Sequence, residues 1–313
     1  RDRFRALRAR EGRGLRVLSE SFASPALAAL RAEFQAAYPA AVWHSYEPLH
    51  RDAVLEGSRI AFGRPLRVQL ALDQADVVAS LDADFLFAEP NSVRHAHDFA
   101  ERRRVASERD SMNRLYAVES AFTVTGAAAD HRLRATHAHT RDIALVLAGE
   151  LRSAHGLDVA GLEAGQAAAA KAALDAHAGR FVAALAKDLA AHRGRCVVLA
   201  GSGQPAEVHA LVHGVNEALG AVGTVLRLTE EPEPPAQAAS IAELAHALDA
   251  GEVDTLLILG GNPAYDAPAD LAFGEKIAKA GAAIRLGAAE DETSARCRWH
   301  LPRAHFLETW GDA

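Results

Sequence analysis

Short, almost unbroken apolar runs punctuate the chain, each released into a Gly-containing or acidic turn and then into a stretch with helical spacing. The cleanest are Cys196–Ala200, Thr255–Leu259 and Ala282–Leu286, with Ala75–Leu81 and Leu115–Glu119 earlier. Runs this short, bounded by turn residues, read as strands. Apolar on both faces and alternating with helices, they require a parallel sheet covered on two sides. The expected fold class is therefore α/β, with two doubly wound, mostly parallel sheet lobes.

Residues 1–13 form a basic lead-in. Gly14–Ser19 reads as a strand, Ser24 and Pro25 open a helix through Leu27, Leu30 and Phe34, and Ala41–His44 follows as a second strand. The same grammar recurs up to about residue 150, the expected end of a first lobe. Residues 151–192, Ala-rich and broken near Gly156–Gly165, read as a helical spacer. Residues 193–313 form the second lobe, with Thr224–Leu228 as a further strand and Ser240 capping a helix. Glu230–Gln237 is a Pro/Glu-rich loop too polar to pack. Within this lobe, strands 196–200 and 255–259 are expected to be parallel neighbours.

Composition removes several function classes. A net charge of −7 disfavours nucleic acid as a partner. Two Cys, at 196 and 297, exclude a disulfide scaffold, a Cys-ligated zinc site and an iron–sulfur cluster held by this segment alone. Both are expected to be free thiols on different strands. No apolar run is long enough for a membrane-spanning helix, and no signal peptide is visible. The chain begins at Arg1 and ends at Ala313 without a tail, which reads as a piece of a longer subunit.

Several clusters carry chemistry or plain structure. Gly260-Gly261-Asn262-Pro263 follows an apolar strand, where open α/β sheets bind ligands, although a tight turn has the same composition. Gly201-Ser202-Gly203 also follows a strand but lacks the dinucleotide fingerprint. Asp82, Asp84 and Glu89 suit a cation or acid–base work, and equally a capped turn. His137 and His139, with His131, His95 and His97 nearby in sequence, offer imidazoles without a recognisable ligand spacing. Arg102–Arg104 suits a helix end or an acidic partner. Serine-hydrolase, zinc-protease and Cys-x-x-Cys motifs are absent, so neither catalytic residues nor metal ligands are assigned.

Taken in order, Leu257–Pro263, Pro268–Leu271, Glu290–Thr293, Trp299–Pro302 and His305–Asp312 resemble the molybdopterin oxidoreductase superfamily. Leu81–Leu86, Ser92–Arg94, Phe99–Arg103, Met112–Tyr116, Thr123–Ala127, Asp130–Arg132, Gln204–Leu211 and Asn216–Gly220 resemble one branch of it. That branch is the molybdopterin-like domain of the large iron–sulfur subunit of bacterial alternative complex III. The resemblance implies a lobe of a respiratory electron-transfer subunit, expected to be a non-catalytic scaffold. It would dock an iron–sulfur domain in a quinol-oxidising complex, at the periplasmic face of the bacterial inner membrane.

Gly260, Gly261, Asn262, Pro263, Glu292 and Thr293 are then candidates for a vestigial pterin site. No cofactor is expected in this segment, and the iron–sulfur clusters would lie in a continuation beyond Ala313. Partners would be the other subunits of a membrane-bound complex, with neither nucleic acid nor a membrane span in this segment. Two alternatives stay open: a fragment of an active molybdopterin-dependent oxidoreductase, and a free nucleotide-binding α/β protein.

Overall fold

A computed structural model describes residues 2–108, 110–230 and 236–311. Most of the Pro/Glu-rich loop after Glu230, and Asp312 of the C-terminal motif, lie outside the described residues. The chain begins α1 (Asp2–Ala9), β1 (Leu15–Ser19), α2 (Pro25–Ala37), β2 (Val42–Ser45), α3 (Asp52–Phe62), β3 (Leu66–Leu70), β4 (Val77–Leu81) and α4 (Ser92–Glu101). It continues with β5 (Arg114–Glu119), α5 (Val124–Ala128), β6 (His131–Arg134), α6 (His137–His155), α7 (Gln166–Ala173), α8 (Ala176–Ala191), β7 (Cys196–Ala200) and α9 (Ala206–Ala218). It closes with β8 (Leu226–Glu230), α10 (Gln237–Asp249), β9 (Thr255–Leu259), β10 (Ala282–Gly287) and β11 (Trp299–Pro302).

Two compact units result. Unit 1 joins Arg1–Asp52 to Pro234–Ala313, and unit 2 is Ala53–Glu233. Unit 1 holds a parallel sheet in the order β11-β10-β9-β1-β2. Unit 2 holds a parallel sheet in the order β6-β5-β4-β7 and an antiparallel ribbon, β3-β8.

This pairing corrects the expectation of consecutive lobes over 14–150 and 193–313. The first strand-helix-strand unit completes a sheet begun by the last third of the chain, because β1 pairs with β9. For the same reason strands 196–200 and 255–259 are not neighbours: β7 pairs with β4, and β9 lies between β1 and β10. The strand read at 224–228 forms at Leu226–Glu230 and joins the antiparallel ribbon instead of a parallel sheet.

Unit 2 shows why its strands had to be apolar throughout. Val77, Ala79 and Leu81 of β4 pack with Val146, Val182 and Val215 from the helices on one face. Val78, Leu115 and Val197 point the other way, against Phe85, Phe99 and the ribbon residue Leu226. Residues 151–192, expected to be a spacer, supply much of that first face through the end of α6 and α8. In unit 1, Leu18, Leu256 and Ile258 meet Ile241 and Leu244 of α10. Leu7 of α1 and Leu15 and Leu257 of the sheet form a smaller cluster with Phe34 of α2.

Local signals behave unevenly. Ser24 caps α2 as expected, its hydroxyl accepting from the Leu27 amide at 3.0 Å. Leu27 and Leu30 of the same helix remain exposed. Ser240 is not a cap: it lies inside α10, buried, and accepts from the Ser45 amide at 3.2 Å. The segment from 269 to 280 is a series of short helical turns.

β7 is the edge of its sheet, and its outward backbone is buried under α9. Asn216, 1% exposed, solves this: Oδ1 accepts from the Val198 amide at 2.9 Å and Nδ2 donates to the Val198 carbonyl at 2.8 Å. An Asn216→Leu chain leaves both backbone groups without partners. The expected cost is roughly 2–4 kcal/mol of unfolding free energy, read by urea denaturation. A change below about 0.5 kcal/mol would contradict this role for Asn216.

Candidate functional site

At the carboxyl edge of the unit 1 sheet, β9 runs into the loop Gly260–Pro263. Gly260 and Gly261 have φ of 82° and 63°, the left-handed region that glycine adopts without strain. Arg285 of β10, 3% exposed, fixes the loop from beneath by donating to the Gly260 carbonyl at 2.5 Å and to Asp291 at 2.6 Å. Asn262 is fully engaged with the next loop. Its Oδ1 accepts from the Thr293 amide at 3.2 Å and hydroxyl at 2.7 Å, and its Nδ2 donates to Glu292 at 2.7 Å. That hydrogen bond holds the Glu292 carboxyl below its ordinary pKa. The structure therefore brings together all six residues singled out for the pterin loop.

It also adds residues that the sequence reading missed. Glu20 follows β1 directly, and the register Ser19 to Leu259 sets it beside Gly260. A Cβ built at Gly260 would stand 2.2 Å from Glu20 Oε2 and 3.3 Å from Arg303 Nη1. Glu47 and Asp266 line the same hollow, which has a volume of about 30 Å³. Burial, reinforced by the charge of Glu20, pushes both of their carboxyls above the ordinary range. Tyr46 closes one side, its hydroxyl donating to the Asp266 carbonyl at 2.7 Å.

A molybdopterin dinucleotide presents a pyrophosphate, which needs free donors and net positive charge. Here the glycine mouth meets a carboxylate, the loop asparagine is spent internally, and two further acids stand behind. The donor set of this loop does not suit that group.

The carboxyl edge of the unit 2 sheet shows the same trait. Gly201 permits close approach: a Cβ there would fall 1.9 Å from the Asp82 carbonyl oxygen. Asp82, at φ 60°, places Oδ2 2.7 Å from His137 Nδ1 and 3.1 Å from Gln204 Nε2. His137 Nε2 lies 3.1 Å from the Gly203 carbonyl oxygen. The Ser202 amide, the donor a phosphate would seek, donates to Glu89 at 2.8 Å. Asp84 accepts from the Thr125 amide and hydroxyl at 3.0 and 2.7 Å. The acids considered for cation or acid–base work are thus engaged separately.

The remaining candidates disperse. His131 stacks on Tyr116 with centroids 4.5 Å apart, and His139 does not join His137 at Asp82. Among the described residues no three His, Cys, Asp or Glu side chains converge on one point. Arg102, Arg103 and Arg104 pair with Asp76, Asp130 and Glu101. Cys196 and Cys297 are free. Burial pushes their thiols up to about 12 and about 11. Cys196 begins β7, whereas Cys297 follows a helical turn and is not on a strand, a correction to the expectation of two strand cysteines.

No family model matches the chain, and no curated protein does. Solved structures do match. Acetylene hydratase from Pelobacter acetylenicus superposes with a TM-score of 0.65 at 12% identity, over 98% of this chain and 51% of that one. The formyltransferase/hydrolase complex FhcABCD from Methylorubrum extorquens, solved with methylofuran, gives 0.52 at 14% identity, over 94% and 81%. The fold resembles molybdopterin-enzyme domains. At these identities the likeness is one of architecture, two mostly parallel sheets in an α/β chain. The chain spans about half the length of the acetylene hydratase structure.

The Asn262 hydrogen bonds generate a direct test. Asn262→Ala should cost roughly 1–2 kcal/mol of unfolding free energy, because Thr293 and Glu292 lose their shared partner. Chemical denaturation measures it, and a variant as stable as the parent would show that the loop is not wired this way.

Proposed function

We propose that the chain is the molybdopterin-oxidoreductase-like part of a respiratory electron-transfer subunit, acting as a non-catalytic scaffold. On this reading it docks an iron–sulfur domain and neighbouring subunits of a quinol-oxidising complex of the alternative complex III type. Electron transfer belongs to clusters in another part of the subunit, and the assembly works at the periplasmic face of a bacterial inner membrane.

The observation that carries the reading is the Glu20 carboxylate beside Gly260. The Gly260–Pro263 loop, which resembles the family's in sequence, has its mouth taken by an acid of its own chain, with Arg303 nearby. A carboxylate in that place opposes a dinucleotide by volume and by charge. The docking half of the reading is supported by the surface around β11. Trp299 and Leu301 of the edge strand β11, and Phe306, Leu307 and Trp310 shortly after it in sequence, are all exposed. Apolar side chains gathered this way favour association with another protein surface.

The test is elemental analysis of the protein produced in a host that makes and inserts molybdopterin dinucleotides, with calorimetry of the purified protein against the dinucleotide. The expected result is molybdenum far below one atom per chain and no saturable heat. Stoichiometric molybdenum would overturn the scaffold and favour an active molybdopterin enzyme.

A further inference from the structure

Unit 2 carries an open cleft of about 840 Å³ beside its antiparallel ribbon. One wall is the outer face of the β3-β8 ribbon. The antiparallel register sets Gln69 opposite Arg227 and Arg67 opposite Thr229. The alternate positions, Val68, Leu70, Leu226 and Leu228, turn to the core. A polar face bearing two guanidiniums is therefore fixed by the apolar packing behind it.

The first turn of α4 and the lead-in to β7 border another part of the cleft. Arg94 and Arg195 line it, so four arginines border one cleft against a single lining carboxylate, Asp73. Gln74 already donates to Asp73 at 2.7 Å. Arg195 is held by Asp76 at 2.6 Å, while Arg94 reaches Asp98 at 3.3 Å with 74% of its side chain exposed. Arg227 has no carboxylate partner among the described residues.

Two further features border the cleft. The Asn91 side chain makes no cap on α4, which leaves the first amides of a ten-residue helix without that partner. His95, 7% exposed, also lines the cleft, and its Nδ1 has no partner among the described residues. Leu70 and Ala71 are the apolar side chains in the lining.

We propose that this cleft binds a phosphorylated small molecule carrying two or more phosphoryl groups. Planar guanidiniums lining one cleft match phosphate oxygens in pairs, and an uncapped helix amino end adds backbone donors. The volume admits a ligand of nucleotide size, and the lining offers little to an apolar one. The site is independent of the Gly260 loop, which lies in unit 1.

The experiment is calorimetric titration of the full chain with tripolyphosphate and with ATP at low and moderate salt, alongside sedimentation with vesicles containing a phosphoinositide. Saturable binding that weakens with salt is expected. Arg227→Ala should weaken it roughly tenfold or more, and Arg67→Ala/Arg227→Ala further. Arg5→Ala, on exposed α1 of unit 1, should leave it unchanged. All these arginines are solvent-facing, and an unchanged melting temperature checks that each variant is folded. Soluble compounds alone binding would identify a free phosphorylated metabolite, and vesicles alone a lipid headgroup; both uphold the phosphoryl site. No saturable binding to any probe, or binding equally strong in the double variant, would overturn it.

Discussion

The pairing of β1 with β9 is the contact on which unit 1 depends. It joins strands about 240 residues apart, five positions in register from Leu15–Thr255 to Ser19–Leu259. Closing so long a loop costs entropy that local interactions cannot return, so the pair persists only with both faces covered. α10 covers one face and α1 with α2 the other. Ion pairs from Arg3 and Arg10 to Asp254, just before β9, fasten the incoming chain at the same end, at 2.6 and 2.5 Å.

That register also settles the chemistry of the loop beyond it. The residue after β1 must stand beside the residue after β9, and these are Glu20 and Gly260. In unit 2 the equivalent edge places Asp82 beside Gly201, with Glu89 on the Ser202 amide. Both crevices where doubly wound sheets hold anionic ligands are met by carboxylates of the chain itself. The polar groups there are satisfied by the fold, so the fold can be kept without a ligand. The cleft beside the β3-β8 ribbon differs, being bordered by four arginines.

Legibility in the sequence followed the range of the interaction. Strands 196–200 and 255–259 were readable to the residue, because five consecutive apolar positions between turns have few other uses. The Gly260–Thr293 cluster was readable as well, since its members follow successive strands of one sheet. Glu20 was not: its strand was visible, but its neighbour was set by a contact across most of the chain. β3 and β6 were missed because Leu66–Leu70 mixes apolar with Arg and Gln, and His131–Arg134 is mostly charged. They form because a ribbon face and a sheet edge tolerate solvent on one side. The same half-exposed character of β3 hid the arginine cleft, whose residues come from four separate segments.

The Gly260 loop is closed by its own chain instead of open to a dinucleotide. The direct measurement is a crystal structure of the protein grown with excess molybdopterin dinucleotide. The account predicts the Glu20 carboxylate against Gly260, Asn262 bonded to Thr293 and Glu292, and no ligand density on the loop. Glu20 swung aside, with a pyrophosphate seated on the Gly260–Asn262 backbone beside Arg303, would contradict it.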